Sequence, residues 1–596
     1  MIDLEWLLRL PCVDPEQGFS ISPDGLKAAF SWNKTGQWEI YEVLLDGSAI
    51  PQQVTQGPGG KFAPRYSPDG TYLAYVVDFD GGERFSLITR HLSSSQITNL
   101  TQDEPGALQP SYSWSPDSAW LAFISDRSGV FDTYIMPASG GTARLVLSIS
   151  HPQVGVRWSP DSRWLLITAE THGQDYGVFI APVEGGEIQH LSDQSGALNA
   201  RSAYWSPDSR QVAFASDIHG FYDIGIYDLE NRDLTWVTSG KGDKSFPHWS
   251  PDGRWLVYVH SQGEITWLEL FDRHTRKFCR IQAGAGVHYL PKFTPDGKAV
   301  AFVFDNPCMP DDLWLYSIAD GSLRQLTHSL PSDAPTSLFT MPTAVEYPGM
   351  DGEKVPALLF QPPQGGSRPP GVVIIHGGPT WLFQFLWYPI MQHMVSRGWV
   401  VLAPNYRGSS GYGRSWQLAN RFDLGGVDTQ DVVAGADYLI RQGLVDPRRI
   451  AVTGRSHGGY LTMTCLTQFP DRWASGSAVV PFLNWFTSHA NSREDLQHWD
   501  IENFGDPQEN HDLWHTRSPF FFLDRLQAPV QLICGANDPR CPASESLAAQ
   551  EALQALGKPV DLILYPDEGH AFLKIENVID SELRRLAFLA QVLEID

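Results

Sequence analysis

The chain has 596 residues, with 43 Lys plus Arg against 68 Asp plus Glu and a formal charge of −25. At 42% hydrophobic and 19% charged residues it has globular composition, which excludes a mainly disordered chain, and its length allows several domains. The acidic balance argues against a duplex nucleic-acid or anionic-membrane partner, because phosphate binding requires a basic face.

The N-terminal segment, residues 1–15, opens with an acidic stretch in which Leu4, Leu7 and Leu8 have helical spacing. It is expected to pack as a short helix on the C-terminal domain or to lead into the first repeat. It is too short and too acidic for a signal peptide, and no run of about 18 apolar residues predicts a membrane span. Cys12, Cys279, Cys308, Cys465, Cys534 and Cys541 are scattered, without a CxxC pair. They read as free thiols in a reducing, cytoplasmic setting rather than as a disulfide framework or a zinc site.

Residues 16–335 repeat. Ser-Pro-Asp, once Thr-Pro-Asp, recurs with its proline at 23, 68, 116, 160, 207, 251 and 295, spacings of 44–48. An aromatic stands two residues before most of these prolines, as at Trp114, Trp158, Trp205 and Trp249. A second marker, an apolar–Thr pair or its relic, falls at Val54, Leu100, Leu145, Leu191, Val237, Ile281 and Leu326 with the same period. Pro presets φ and Asp caps its own turn, so each motif predicts a tight reversal between strands. About 45 residues accommodate four short strands, one propeller blade, and seven markers predict a seven-bladed β-propeller.

After a polar, Pro-bearing stretch at 329–335 the texture changes. Over 336–596, apolar runs at Val372–Ile375, Trp399–Ala403, Ile450–Thr453, Val530–Cys534 and Val560–Leu564 alternate with helical patterns at 431–441 and 544–556. This predicts a parallel α/β sheet. The third run enters Gly454-Arg455-Ser456-His457-Gly458, a Gly-x-Ser-x-Gly turn between strand and helix. Such a turn holds a serine at a helix start, where the dipole favours developing negative charge. Serine needs a base, and the base an orienting acid. In an α/β-hydrolase the chain order is Ser, acid, His. Asp538 follows the fourth run and His570 the fifth. Ser456, Asp538 and His570 are therefore the candidate catalytic residues, with Asp567 and Glu568 as alternative acids. The backbone N–H of His457 and those of Gly377 or Gly378, in His376-Gly377-Gly378-Pro379, are the candidate oxyanion donors.

These motifs resemble the prolyl oligopeptidase family of serine peptidases, most closely its acylaminoacyl-peptidase subfamily. The resemblance rests on His376–Pro379, Asn405–Gly413, the Ser456 turn, Asn537-Asp538-x-Arg540 and Glu568-Gly569-His570. It implies a propeller capping the hydrolase domain and restricting substrates to short peptides. It also implies that Arg540 holds a substrate carbonyl and that Phe482 and Trp485 line the first specificity pocket. The activity implied is release of an N-acylated or N-terminal residue. Dipeptidyl or oligopeptidase activity, or hydrolysis or acyl transfer on a small natural product, are the alternatives. No cofactor or metal is implied, and a homo-oligomer is compatible with the resemblance. The chain departs from the family at Arg455 and His457, where the turn often reads Gly-Gly-Ser-Tyr-Gly-Gly. It also lacks the Glu-Glu pair with which dipeptidyl peptidases bind a free amino terminus.

Overall fold

The computed structural model describes residues 1–102, 106–193, 196–362 and 368–594. The chain divides into two compact units. One comprises 11–79 and 83–331; the other comprises 1–10, 80–82 and 332–596.

The first unit is a seven-bladed β-propeller. Seven four-stranded antiparallel sheets follow in chain order over 19–53, 60–99, 108–147, 153–190, 201–236, 243–281 and 287–325. Each repeat marker has a visible physical role. In every Ser/Thr-Pro-Asp turn the hydroxyl donates to the aspartate two residues on, from Ser22–Asp24 at 2.5 Å to Thr294–Asp296 at 2.7 Å. The same carboxylates accept a backbone N–H beyond the turn, as Asp208 does from Arg210 at 3.1 Å. The aromatics tie neighbouring blades: Trp114, Trp205 and Trp249 donate their indole N–H to the carbonyls of Arg65, Arg157 and Tyr204 in the preceding blade. The threonines of the second marker accept a strand N–H at Ile40, Leu87, Ile224 and Leu313, at 2.8–2.9 Å.

The propeller core lies at the seams between blades. Phe123, Tyr134 and Met136 of the third blade, for example, pack with Ala74, Val76 and Leu87 of the second. Every blade is built of four consecutive strands, so the ring closes by side-chain packing and by the Val13 N–H, which donates to the Asp311 carbonyl at 3.0 Å. Phe19, Phe30 and Trp32 of blade 1 pack with Ala301, Val303 and Leu313 of blade 7, and Trp32 Nε1 donates to Ser329 Oγ at 3.1 Å.

The second unit is an α/β-hydrolase sheet of eight strands: β1 Thr343–Pro348, β2 Lys354–Phe360, β3 Gly371–Ile375, β4 Val400–Pro404, β5 Ile450–Arg455, β6 Ser475–Val479, β7 Val530–Gly535 and β8 Val560–Tyr565. Their order is β1-β2-β4-β3-β5-β6-β7-β8. The pairs β1–β2 and β2–β4 are antiparallel, and the rest are parallel. The five predicted runs are β3, β4, β5, β7 and β8. The sequence reading missed three strands for physical reasons. β1 is a mostly exposed edge strand, β2 is buried but interrupted by Pro356, which reads against a strand, and β6 reads Ser-Gly-Ser-Ala-Val, too small and polar to signal a buried strand.

Both faces of the sheet are covered. Val373 and Ile375 point into a core with α4 (Val427–Arg441), α5 (His457–Gln468) and α9 (Ala543–Ala555). Their neighbours Val372 and Ile374 point into the other core, with α2 (Pro389–Ser396) and α10 (Ile575–Leu593). The N-terminal helix, α1 (Leu4–Arg9), belongs to this second face: Leu4 packs with Leu586, Leu589 and Leu593. The backbone N–H of Ile2 donates to Ser396 Oγ at 2.9 Å. Among the described residues no helix is long and apolar enough to cross a membrane, and all six cysteines are free thiols.

Candidate active site

The parallel strands end together, and the candidate residues sit on the turns that leave those ends, where open α/β sheets place their chemistry. Ser456 joins β5 to α5 with φ 58° and ψ −124°, a strained conformation for a residue with a side chain. Glycines make the turn feasible. A Cβ at Gly454 would lie 2.4 Å from the Gly458 carbonyl oxygen, and one at Gly458 only 2.3 Å from that of Ile375. Both neighbours are backbone and cannot give way. The turn thus lifts Ser456 to the N-terminus of the 12-residue helix α5, whose first N–H is that of His457.

His570 reaches Ser456 from the loop after β8. Its Nε2 is 3.0 Å from Ser456 Oγ and its Nδ1 is 2.8 Å from Asp538 Oδ2. The Asp538 side chain is fully buried and that of His570 is 12% exposed. Asp538 Oδ1 accepts the backbone N–H groups of Arg540 and Cys541, both at 2.8 Å. A carboxylate held this way accepts a hydrogen bond from Nδ1–H and leaves Nε2 to accept from the serine hydroxyl, the arrangement general-base activation requires.

The alternative acids are engaged elsewhere. Glu568 is buried and accepts the N–H groups of Leu573 and Lys574 at 2.7 and 3.1 Å, fixing the loop that carries His570. Asp567 pairs with Lys574. A brace that the sequence reading missed is Arg455, which donates from its guanidinium to the His570 carbonyl and lies over the Phe572 ring. Its position beside Ser456 was the available signal, but a pairing across 115 residues is not legible from it.

The His376–Pro379 loop leaves β3 beside the serine. A Cβ on Gly377 would sit 3.2 Å from Ser456 Cβ, and Gly378 has φ +116°, a conformation that favours glycine. His376 is buried, and burial lowers its pKa to about 3, so the ring is neutral. Its Nδ1 is 2.8 Å from the Gly377 carbonyl oxygen and its Nε2 is 2.8 Å from Ser409 Oγ. The ring stacks on Tyr406 at 4.3 Å, and the Tyr406 hydroxyl donates to the His376 carbonyl at 3.0 Å. Arg407 follows: it forks onto buried Asp431, with Nη2–Oδ1 at 2.6 Å, and onto Asp351. The Asn405–Gly413 motif therefore scaffolds the glycine loop.

The His457 ring occupies a buried site 3.4 Å from Asp428 and beside Tyr460 and Phe482. A cavity of about 150 Å³ opens beside Ser456, and Gly378, His457, Phe482, Trp485 and Arg540 are among its lining residues. Phe482 stacks on Tyr460 at 4.5 Å and meets Trp485 edge-on at 4.7 Å.

Residues 386–596 match the model of the prolyl oligopeptidase family, and residues 20–200 match that of the TolB β-propeller domain. The acylamino-acid-releasing enzyme of Rattus norvegicus is 31% identical over 255 residues, 41% of this chain and 34% of the relative. Dipeptidyl aminopeptidase BIII of Pseudoxanthomonas mexicana is 30% identical over 315 residues, 48% of this chain and 45% of the relative. The chain thus spans less than half the length of these curated relatives in the matched region. In fold, a puromycin hydrolase crystal structure superposes with a TM-score of 0.87 at 20% identity, covering 100% of this chain and 96% of that one. Residues 386–596 are accordingly a prolyl oligopeptidase family domain, carried in one chain with a seven-bladed propeller.

Proposed function

We propose that the chain is a serine peptidase that hydrolyses short peptides through an acyl-enzyme, with an acylaminoacyl-peptidase-like preference for releasing the N-terminal residue. The observation that carries this reading is the continuous Ser456–His570–Asp538 hydrogen-bond relay at the strained turn. Similarity to acylamino-acid-releasing and dipeptidyl aminopeptidase sequences over the same region supports the peptide substrate.

Ser456 Oγ attacks the scissile carbonyl as His570 Nε2 takes the hydroxyl proton. The C=O bond becomes single and its oxygen carries the negative charge. The N–H of His457, at the head of α5, and an N–H of Gly377 or Gly378 stabilise that oxyanion, each donor contributing about 10²–10³ in rate. His570 returns the proton to the leaving nitrogen as the C–N bond breaks. Water then repeats the sequence on the ester and frees Ser456. Asp538 holds the imidazole in the tautomer both halves need. Arg540, exposed at the cavity, donates to a substrate carbonyl, and Phe482 and Trp485 wall the first specificity pocket. The six free thiols fit a reducing, cytoplasmic setting.

The test is a mass-spectrometric cleavage assay on free, N-acetylated and C-terminally blocked short peptides, beside Ser456→Ala and with fluorophosphonate labelling of the intact protein. Cleavage by the wild type alone, with N-acetyl termini accepted, is expected. Cleavage of free N-termini only would move the reading to an aminopeptidase or dipeptidyl peptidase. Labelling at Ser456 without peptide cleavage would refute the peptide substrate.

A further inference from the structure

The lining of the cavity beside Ser456 combines aromatic, small polar and acidic side chains. Phe482 and Trp485 belong to it. α6 (Trp485–Asn491), α7 (Glu494–Phe504) and the turn between them add Ser488, Ser492, Leu496, Trp499 and Asp500. The two serines are small and leave space where larger side chains would close the pocket. Leu496 and Trp499 extend the apolar wall.

Asp500 is the one acid among the described residues lining this cavity. Its side chain is 13% exposed. Burial raises its pKa, and its hydrogen bond with His489 opposes that shift. His489 Nδ1 stands 3.1 Å from Asp500 Oδ2. Among the described residues, Oδ1 takes no hydrogen bond from the protein. A carboxylate oxygen that opens to a cavity becomes costly when a bound side chain displaces its water without supplying a donor.

We propose that Asp500 makes this cavity selective for a lysine or arginine side chain on the residue whose carbonyl acylates Ser456. The inference rests on the peptidase reading above and names the substrate class for it. A long cationic side chain lays its methylenes along apolar surface and brings only its end to a polar partner. Here the stem lies between Phe482, Trp485, Leu496 and Trp499, whose aromatic faces also favour a passing cation, and the ammonium or guanidinium meets Asp500 Oδ1. The space suits one side chain: about 150 Å³ is the size of an apolar cavity that accepts a benzene-sized ligand. Leucine or phenylalanine fills the apolar part but leaves the carboxylate uncompensated.

The test compares lysyl, arginyl and norleucyl aminomethylcoumarin amides, each with a free and an acetylated amino terminus, on the full chain and on Asp500→Asn. Norleucine retains the stem and lacks the amine. The wild-type kcat/KM for lysine is expected to exceed that for norleucine roughly 10–100-fold within the same N-terminal form, the range of one charge-assisted hydrogen bond. In Asp500→Asn that ratio falls at least tenfold. A wild type that cleaves norleucine as well as lysine, or an unchanged ratio in the variant, overturns the proposal while the peptidase reading stands. If no amide is cleaved while a fluorophosphonate still labels Ser456, the peptidase reading falls and the proposal with it. Should Asp500→Asn fail to fold, the wild-type labelling rates with lysyl and norleucyl diphenylphosphonates decide: equal rates refute the proposal.

Discussion

Replacing Asp538 by Asn should abolish most activity without removing any atom position from the site, and the structure shows why. Asp538 Oδ1 faces two backbone donors, the N–H groups of Arg540 and Cys541, at 2.8 Å each. Oδ2 faces His570 Nδ1 at 2.8 Å. An asparagine must place its NH2 at one of these positions. At Oδ1 it would leave two buried N–H groups opposite a donor, at about 1–3 kcal/mol each. It therefore keeps its oxygen there and turns NH2 toward His570. That nitrogen donates, so the imidazole must accept at Nδ1 and carry its proton on Nε2. Nε2 is the atom 3.0 Å from Ser456 Oγ, and once protonated it cannot take the serine proton. The loss expected from a wrong tautomer in a geometrically intact triad is about 10⁴ in kcat. The assay is turnover of a cleaved peptide amide at pH 7.5, with melting temperature and fluorophosphonate labelling measured in parallel. A folded Asp538→Asn protein within tenfold of wild type would refute the argument, since the carboxylate would then not set the tautomer.

Gly458→Ala should cost activity through displacement. Its Cβ would lie 2.3 Å from the Ile375 carbonyl oxygen and 2.8 Å from that of His376, so α5 or the glycine loop must shift by roughly 1 Å, a misplacement that costs about 10²-fold; wild-type labelling kinetics would contradict this. Arg407→Met strands Asp431, whose side chain is fully buried, at a cost of about 3–5 kcal/mol, and should lower the melting temperature of the hydrolase unit by roughly 10 °C, read by differential scanning calorimetry. The propeller should weaken as pH rises from about 4 to 7. Burial first of all raises Asp14 to about 7 in the folded chain, above its unfolded value, so the folded state holds a proton that the unfolded state releases and stability falls across that window. Asp14→Asn should flatten this slope in thermal melts at pH 5, 6, 7 and 8; an unchanged slope would place the effect elsewhere.

Some of this protein is written locally, and that part is legible without a structure. The Ser-Pro-Asp turns are self-contained: the serine hydroxyl, the carboxylate and the capped N–H all lie within five residues, so their period of about 45 announces seven blades. The Ser456 turn is likewise local, because its glycines are required by clashes with backbone at its own ends. Chain order and position after the fourth and fifth apolar runs made Asp538 and His570 the leading candidates, with Asp567 and Glu568 left open, since an α/β sheet places successive loops at one edge. Other features are set by contacts between distant segments, and sequence carries no mark of them. Arg455 bracing the His570 carbonyl spans 115 residues, and Tyr406 stacked on His376 spans 30. The choice of Asp538 over Asp567 and Glu568 depended on where three loops meet. Strand β6, Ser-Gly-Ser-Ala-Val, is a strand because β5 and β7 pair with it on either side, not because its residues prefer to be one. Asp500 reads along the chain as one more acid on a charged helix. Only the packing that brings α6 and α7 to the Ser456 turn makes it the acid of the adjoining cavity.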